Sequence, residues 1–507
     1  MLVEHIVLRA IAGCLPYLDI QAECMSSSLN NSSTTTQTHK RTSSSPGTGW
    51  NLRRIIVVLA LVGSLVGAIA TVLLGPQGLP FVSAEFNTDQ GAWFVTLELI
   101  AAAVLTPLAA RMGELYGKRR IIIALVVVGT IGSVLIAIAP AYWVVLAGRF
   151  LQGATLACAA LAPALVREAL PERIAPFGVG LVATGSGLPG ALIPFITGPV
   201  IDNYGFRVVF WGVAAVMAIF AVLILATIPE STVFDSGSVD YVSVLLLGGG
   251  VAAILAGLSF GPSLGWASAA TIVLFIVGIV AIAIWVRHSR ASQNPLIDLS
   301  ILTDRRMTVG LIAGGLVAGT GTLFLIASSY VAQTPAGETL GYGLGLSARS
   351  YAYLQTFYFL GFLVGGVIAV QALQRMSYIG VILGGAGLLG LSAIIGVLSF
   401  NQVLVFAAVH LIIGIVIGVF FSANFNFIFR SVAATRRSSA SSLYLTMTTL
   451  GQSLYSILPL TIAAMLFPAA LVGVVNVQSI RFLFFFILGS AIVAALLAVC
   501  GRKAGQE

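Results

Sequence analysis

The chain has 507 residues, of which 58% are hydrophobic and 8% charged, with a mean hydropathy of +1.04 and a net charge of +8. Soluble domains carry roughly 25% charged residues, so this composition excludes a water-soluble fold and any soluble ATP-hydrolysing domain. The apolar runs are about 20 residues long, enough to cross a hydrocarbon core of ~30 Å as helices, and they lack the two-residue alternation of barrel strands.

The N-terminal stretch stands apart from the rest. Residues 1–24 have an acid at Glu4 and only a short apolar run, which makes a poor signal peptide. After Met25, a candidate start, comes the polar low-complexity segment "SSSLNNSSTTTQTHKRTSSSPGTG". Residues 1–50 therefore read as a disordered cytoplasmic tail. The four cysteines, Cys14, Cys24, Cys158 and Cys500, show no CxxC spacing. They are expected as small apolar fillers, with no disulfide framework or metal site.

From there the predicted fold is all-α and polytopic, with about fourteen transmembrane helices. They centre on residues 55–78, 91–110, 120–139, 142–166, 177–201, 208–228, 241–260, 268–286, 307–332, 350–371, 378–398, 402–428, 440–466 and 480–500. Residues 51–230 hold six of them, 231–300 two linking helices, and 301–507 the last six. The linking pair could instead be one re-entrant pair. With the N-terminus inside, nearly all loop Lys and Arg fall on the cytoplasmic side, and only Arg207, Arg349 and Arg481 fall outside. That asymmetry is the expected one and places both termini in the cytoplasm.

Between the second and third runs lies "RMGELYGKRR", residues 111–120. Topology alone accounts for the cations Lys118, Arg119 and Arg120. Glu114 is not needed for topology, and an acid at a helix end beside cations can act as a breakable latch between helices. Both readings stand from sequence. The loop, with Gly113, Glu114, Gly117, Lys118, Arg119 and Arg120, resembles the conserved loop of the major facilitator superfamily. Further matches are "LAGRFLQGATLA" with Arg149, Gln152 and Gly153, and "GPVIDNYGFRVVFW" with Asp202, Gly205 and Arg207. "VDYVSVLLLGGG" and "NPLIDLSIL" bracket the linking helices, which is similar to the fourteen-helix drug/proton antiporter branch. The resemblance implies two six-helix bundles as parallel pseudo-repeats, transport by alternating access, and a loop that bridges neighbouring helices in one access state.

Of the seventeen acids, Glu98 is the one placed well inside a span. At 1.5 Å rise per residue it lies about 24 Å from Glu114, and Arg149 lies about 27 Å from Arg167, so the two sit at similar depth. A carboxylate near a movable cation suits a proton carrier. A static pair, or a Glu facing the external vestibule, is the alternative. The sequence departs from the branch in "ATVLLGPQGLP", where Thr71 stands in place of the usual first-helix acid. It departs again in "GALIPFITG", which keeps Gly190, Pro194 and Gly198 but has Ile193 and Thr197 where glycines are common. His410 is a second proton candidate or a donor to a backbone carbonyl. Gln355, Asn424, Asn426, Gln452 and Tyr455 are candidate cavity polars or plain interhelical hydrogen-bonders.

The function expected from these features is secondary active transport, namely proton-coupled efflux of amphipathic or drug-like molecules across the cell membrane. A cationic substrate competing with the proton for Glu98 would give exchange without further machinery. An uncoupled facilitator or a carrier of lipids or metabolites is the alternative, and a non-transporting membrane sensor a more distant one. No catalytic constellation is present, and no cofactor is expected. The expected partners are a lipophilic small molecule, protons and the bilayer, with no nucleic acid, and a monomer is expected.

Overall fold

The computed structural model describes residues 51–503 apart from 89, 172, 173, 176, 177, 179–186, 232–237, 293, 294, 298, 336–341, 400, 401, 432–436 and 468–475. Expectations for residues 1–50, including Met25, lie outside the described residues. Among the described residues there is no strand, and thirteen helices are long and apolar enough to cross a membrane. A further helix, Gly187–Tyr204, is the described part of the expected fifth span.

In chain order the first elements are α1 (Leu52–Glu85), α2 (Trp93–Tyr116), α3 (Lys118–Ile138), α4 (Tyr142–Leu156), α5 (Cys158–Ala169), α6 (Gly187–Tyr204) and α7 (Phe206–Thr227). The linking helices are α8 (Tyr241–Leu264) and α9 (Ala269–Ala291). The remainder are α10 (Arg305–Gln333), α11 (Ala348–Arg375), α12 (Tyr378–Ser399), α13 (Val403–Ser431), α14 (Arg437–Leu466) and α15 (Val477–Lys503). The linking segment is two full-length helices of 24 and 23 residues joined at Gly265, not a re-entrant pair.

Three boundaries differ from the sequence expectation, each for a local reason. α1 runs seven residues past 78 to Glu85, through Pro76 and Pro80. Prolines are tolerated in membrane helices where neighbours re-satisfy the freed backbone groups. α2 continues through Arg111, Gly113 and Glu114, so the expected loop is helical, and the chain turns only at Gly117, with φ of 104°. Glycine is required there for its conformation, and a Cβ would in addition lie 2.5 Å from Glu230 Oε1 and displace that carboxylate. The fourth span is broken at Ala157 into α4 and α5.

Two apolar cores form. The first, with Leu61, Leu73, Phe94, Ile122 and Phe210, is built mostly from α1–α7. The second, with Phe324, Tyr351, Phe406, Phe420 and Phe484, is built from α10–α15. Lipid supplies no hydrophobic drive between helices, so close approach rests on small residues. Gly153 of α4 sits against the Glu98 carbonyl of α2, and a Cβ would lie 2.5 Å from that oxygen. Gly414 and Gly418 of α13 press in the same way on the Tyr358 and Phe362 carbonyls of α11. The linking pair docks through Leu247 and Trp285 on Met307, Leu311 and Tyr444. α8 also packs Leu255 against Trp93 and Ile100 of α2 and Ile457 of α14. At the N-terminal end of α8, Asp240 caps the helix by accepting from Ser243 N at 3.0 Å, and lies 3.0 Å from His288 Nε2 of α9. Burial opposes the charge of Asp240, but the Ser243 and His288 hydrogen bonds outweigh it and hold its carboxyl below the usual range.

Candidate functional site

Four helices converge on Arg149. It is wholly buried, and its guanidinium pairs with the buried Glu98 carboxylate through Nη2 and Oε2. Its Nε donates to Phe94 O at 2.6 Å, and its Nη1 donates to Thr71 O at 2.9 Å and Gln152 Oε1 at 2.8 Å. Gln152 Nε2 in turn donates to Ser133 Oγ at 2.8 Å. The Phe94 ring lies 4.6 Å from the guanidinium carbon, a cation–π contact. Gly75 leaves room opposite, since a Cβ there would lie 3.1 Å from Nη2. The helix-four motif thus works as a unit: Arg149 pairs, Gln152 orients it, and Gly153 lets α4 reach the backbone of Glu98. Thr71, at the position of the branch's usual acid, meets this group through its carbonyl, which accepts from Arg149, and its side chain also faces the Glu98 carboxylate. Glu98 Oε1 is buried without a hydrogen-bond partner.

His410 lies in the second core, away from this pair. It sits between the Phe324 and Phe406 rings, at 4.7 and 4.8 Å. Its Nδ1 is 2.8 Å from Phe406 O; a carbonyl only accepts, so Nδ1 carries the proton. Its Nε2 has no partner. Among the other expected polars, Asn424 accepts from Tyr378 Oη and donates to Gly310 O, both at 2.7 Å. Asn426 bonds its own helix at Ser422 O, and Tyr455 Oη lies 3.0 Å from Ser490 Oγ. These three serve helix contacts. Gln452 is half-buried on α14, and Gln355 is fully buried on α11.

At the turn, Glu114 pairs within its own helix with Arg111, at 3.2 Å. The acids that bridge helices are two that sequence reasoning passed over. Glu168 of α5 accepts from Lys118 Nζ at 2.7 Å and from Ser231 Oγ at 2.6 Å. Glu230, beyond α7, accepts from the backbone N–H groups of Arg119 at 3.1 Å and Arg120 at 3.3 Å. It thereby caps the N-terminus of α3, where a negative charge is favoured. Arg119 Nη2 donates to Leu225 O at 2.5 Å. Glu230→Ala is therefore expected to lower transport several-fold more than Glu114→Gln, with both proteins made at near-normal levels. Parallel transport and expression assays check this, and equal effects would return the bridging role to Glu114.

The two cores join at the end of the helices remote from Gly117. Ser329 Oγ of α10 donates to Pro76 O at 2.6 Å; that carbonyl is free because Pro80, four residues on, has no N–H to offer it. Asp202 at the end of α6 accepts from Ala348 N at 2.8 Å and Arg349 N at 2.9 Å, at the start of α11. Gly198 admits this approach, since a Cβ would lie 2.8 Å from Ala348 O. Gly190 faces the Phe359 ring across the same seam, and Pro194 is buried on α6. Thr197, where a glycine is common, donates to Gln77 Oε1 at 2.8 Å. Thr96 Oγ1 and Ser456 Oγ lie 2.7 Å apart across α2 and α14.

Residues 59–456 match the model of the Major Facilitator Superfamily. The chain belongs to this superfamily. Its relatives include the MFS-type transporter YcnB of Bacillus subtilis (strain 168), 24% identical over 57% of this chain and 62% of that protein. Another is the multidrug resistance protein B homolog of Mycobacterium tuberculosis (strain ATCC 25618 / H37Rv), 31% identical over 49% of this chain and 47% of that protein. The matched regions thus span about half to three fifths of these relatives. A crystal structure of the POT family transporter PepTSo superposes with a TM-score of 0.61 at 14% identity, covering 90% of this chain and 99% of that one. A bacterial homolog of the human lysosomal transporter Spinster, in an inward-facing and unoccupied conformation, also gives 0.61 at 14% identity, covering 90% and 98%. At that identity the likeness is one of fold. The chain is a multi-pass membrane protein of this superfamily.

Proposed function

We propose that this chain is a proton-coupled secondary transporter of the cell membrane that exports amphipathic small molecules by alternating access. Glu98 takes the proton and Arg149 is its partner. The observation that carries the reading is the buried Glu98–Arg149 pair, in which one carboxylate oxygen is bonded to the cation and the other, Oε1, has no partner. A proton arriving at Oε1 neutralises the acid and releases Arg149. The guanidinium is then held by Phe94 O, Thr71 O and Gln152 alone, so the two protonation states favour different arrangements of α1, α2 and α4. The multidrug names of the mycobacterial relatives support the substrate class. Residues 51–230 and 301–507 act as the rocking bundles, with 231–300 as the link, and the Glu168–Lys118 and Glu230–α3 contacts brace the first bundle during the movement.

The test is transport in proteoliposomes with an imposed pH gradient, screened against lipophilic compounds. Wild-type accumulation that ignores the gradient would replace this reading with an uncoupled facilitator. Topology is tested separately. Single cysteines at Tyr116 and Met376, both exposed, are expected to react only with reagent supplied from the cytoplasmic side, and one at Tyr204 only from outside. External labelling at Tyr116 would overturn the orientation.

A further inference from the structure

Three glutamines meet where the two cores join. Gln77 of α1 accepts from Thr197 through Oε1, but its Nε2 has no hydrogen-bond partner. Gln333 of α10 donates through Nε2 to Ser329 Oγ at 2.8 Å and lies 3.5 Å from Gln77 O, yet its Oε1 has no partner. Gln355 of α11 lies beside the Tyr351 hydroxyl, which also faces Ser328 and Ser329, and neither of its amide atoms completes a hydrogen bond. Ser329, bonded to Pro76 O and Gln333, links the first two, and the Tyr351 hydroxyl, which faces both Ser329 and Gln355, brings the third into the same polar cluster. Proteins rarely bury side-chain amides unpaired, and each such atom calls for a missing partner.

The chemistry of that partner follows from the unpaired atoms. They are two donors, Gln77 Nε2 and Gln355 Nε2, and two acceptors, Gln333 Oε1 and Gln355 Oε1, with no formal charge among them. They suit an amide, a hydroxyl or a carbonyl. The buried intramembrane pair Glu98 and Arg149 sums to zero when Glu98 is ionised and to +1 when it is protonated, so it never offers a net negative charge to a cation. The Glu98 carboxylate that a cationic substrate would need is already paired with Arg149 through Oε2.

We infer that Gln77, Gln333 and Gln355 form the recognition site for the uncharged, hydrogen-bonding head of an amphipathic substrate, and that the carrier selects against lipophilic cations. This rests on the reading of the chain as a carrier of small molecules and narrows its substrate class. An uncharged head exchanges hydrogen bonds with water for bonds to three amides, whereas a cation would give up its hydration for two amide oxygens and no counter-charge.

The experiment is equilibrium binding to the full chain in nanodiscs at one pH, without a gradient. The probes are triphenylphosphine oxide and N-benzylbenzamide, which are neutral, and tetraphenylphosphonium, a cation of similar shape to the first. The neutral probes are expected to bind at least about tenfold more tightly than the phosphonium, and Gln355→Met and Gln77→Leu each to weaken them about fivefold or more, as for a hydrogen-bonding site deprived of its partner. Gln355→Glu should reverse the preference towards the phosphonium, a gain that general damage to folding cannot produce. Each variant is checked for an unchanged melting temperature. The proposal is overturned if the phosphonium binds as tightly as the neutral probes, if neither neutral probe binds, or if the variants bind them unchanged. Because no gradient is used, failure of proton coupling in liposomes leaves this result unaffected, and the two ideas fall separately.

Discussion

Glu98→Gln is expected to reduce gradient-driven accumulation by at least about tenfold, to the level seen without a gradient, while downhill exchange continues. The amide matches the carboxylate in shape and can still accept from Arg149, but it cannot bind and release a proton. Glu98 is fully buried and is braced by Gly153 against its own carbonyl, so the substitution changes charge more than position. Removing one partner of a buried pair costs on the order of 3–5 kcal/mol, so transport is to be compared only on variant protein that runs as a single folded species. Counter-transport of labelled substrate, with and without an imposed pH gradient, separates the two activities. Full gradient-driven accumulation by the variant would move the coupling elsewhere, with His410 next to test.

The second large effect is structural. Gly153→Leu is expected to leave little folded protein. A Cβ at residue 153 would already lie 2.5 Å from Glu98 O, 2.5 Å from Ala101 Cβ and 3.0 Å from Ala102 N, and two of these are backbone atoms that cannot swing aside. Overpacking of a tight contact costs typically 1–3 kcal/mol and sometimes more, and here it also pushes α4 off α2 and pulls Arg149 from its carboxylate. Gly212→Leu is the control, since a Cβ there meets nothing within 4 Å. Fluorescence-detected size-exclusion chromatography of both variants reads the difference. A normal monodisperse peak for Gly153→Leu would mean that α2 and α4 do not touch as described.

The spans and the central pair were legible in the sequence for a simple reason. Bilayer thickness fixes the length of apolar runs, and a charge within one stands out, as Glu98 and Arg149 do. Partners were harder. Glu230 lies more than a hundred residues from the helix it caps, and nothing local marks it. Glu114, the acid beside the cations, has its ion pair on its own helix. The facing of polar residues was harder still. A helix that is apolar all round offers no polar stripe to show which side meets protein. Asn424 and Tyr455 therefore looked as available as Gln355, yet they bond Gly310 O and Ser490. One faint signal was present: Pro80 four residues after Pro76 leaves a carbonyl without its helical donor, and that carbonyl became the acceptor for Ser329.

The placement of α8 bears on how the protein borders its lipids. Gly248 of α8 stands opposite Val104 of α2, and Leu255 contacts Ile100 and Ile457; further along, Ser259 accepts from Trp93 Nε1 at 2.8 Å. The linking helix therefore lies along the join of α2 and α14 through much of the bilayer's depth. The join of α6 and α11 instead turns Phe195, Ile196, Tyr353 and Phe357 outward. Viewed from within the membrane plane, the molecule has a sheathed flank and a bare one. A compound diffusing laterally among the acyl chains meets the line between the two cores directly on the bare flank, and meets α8 first on the other.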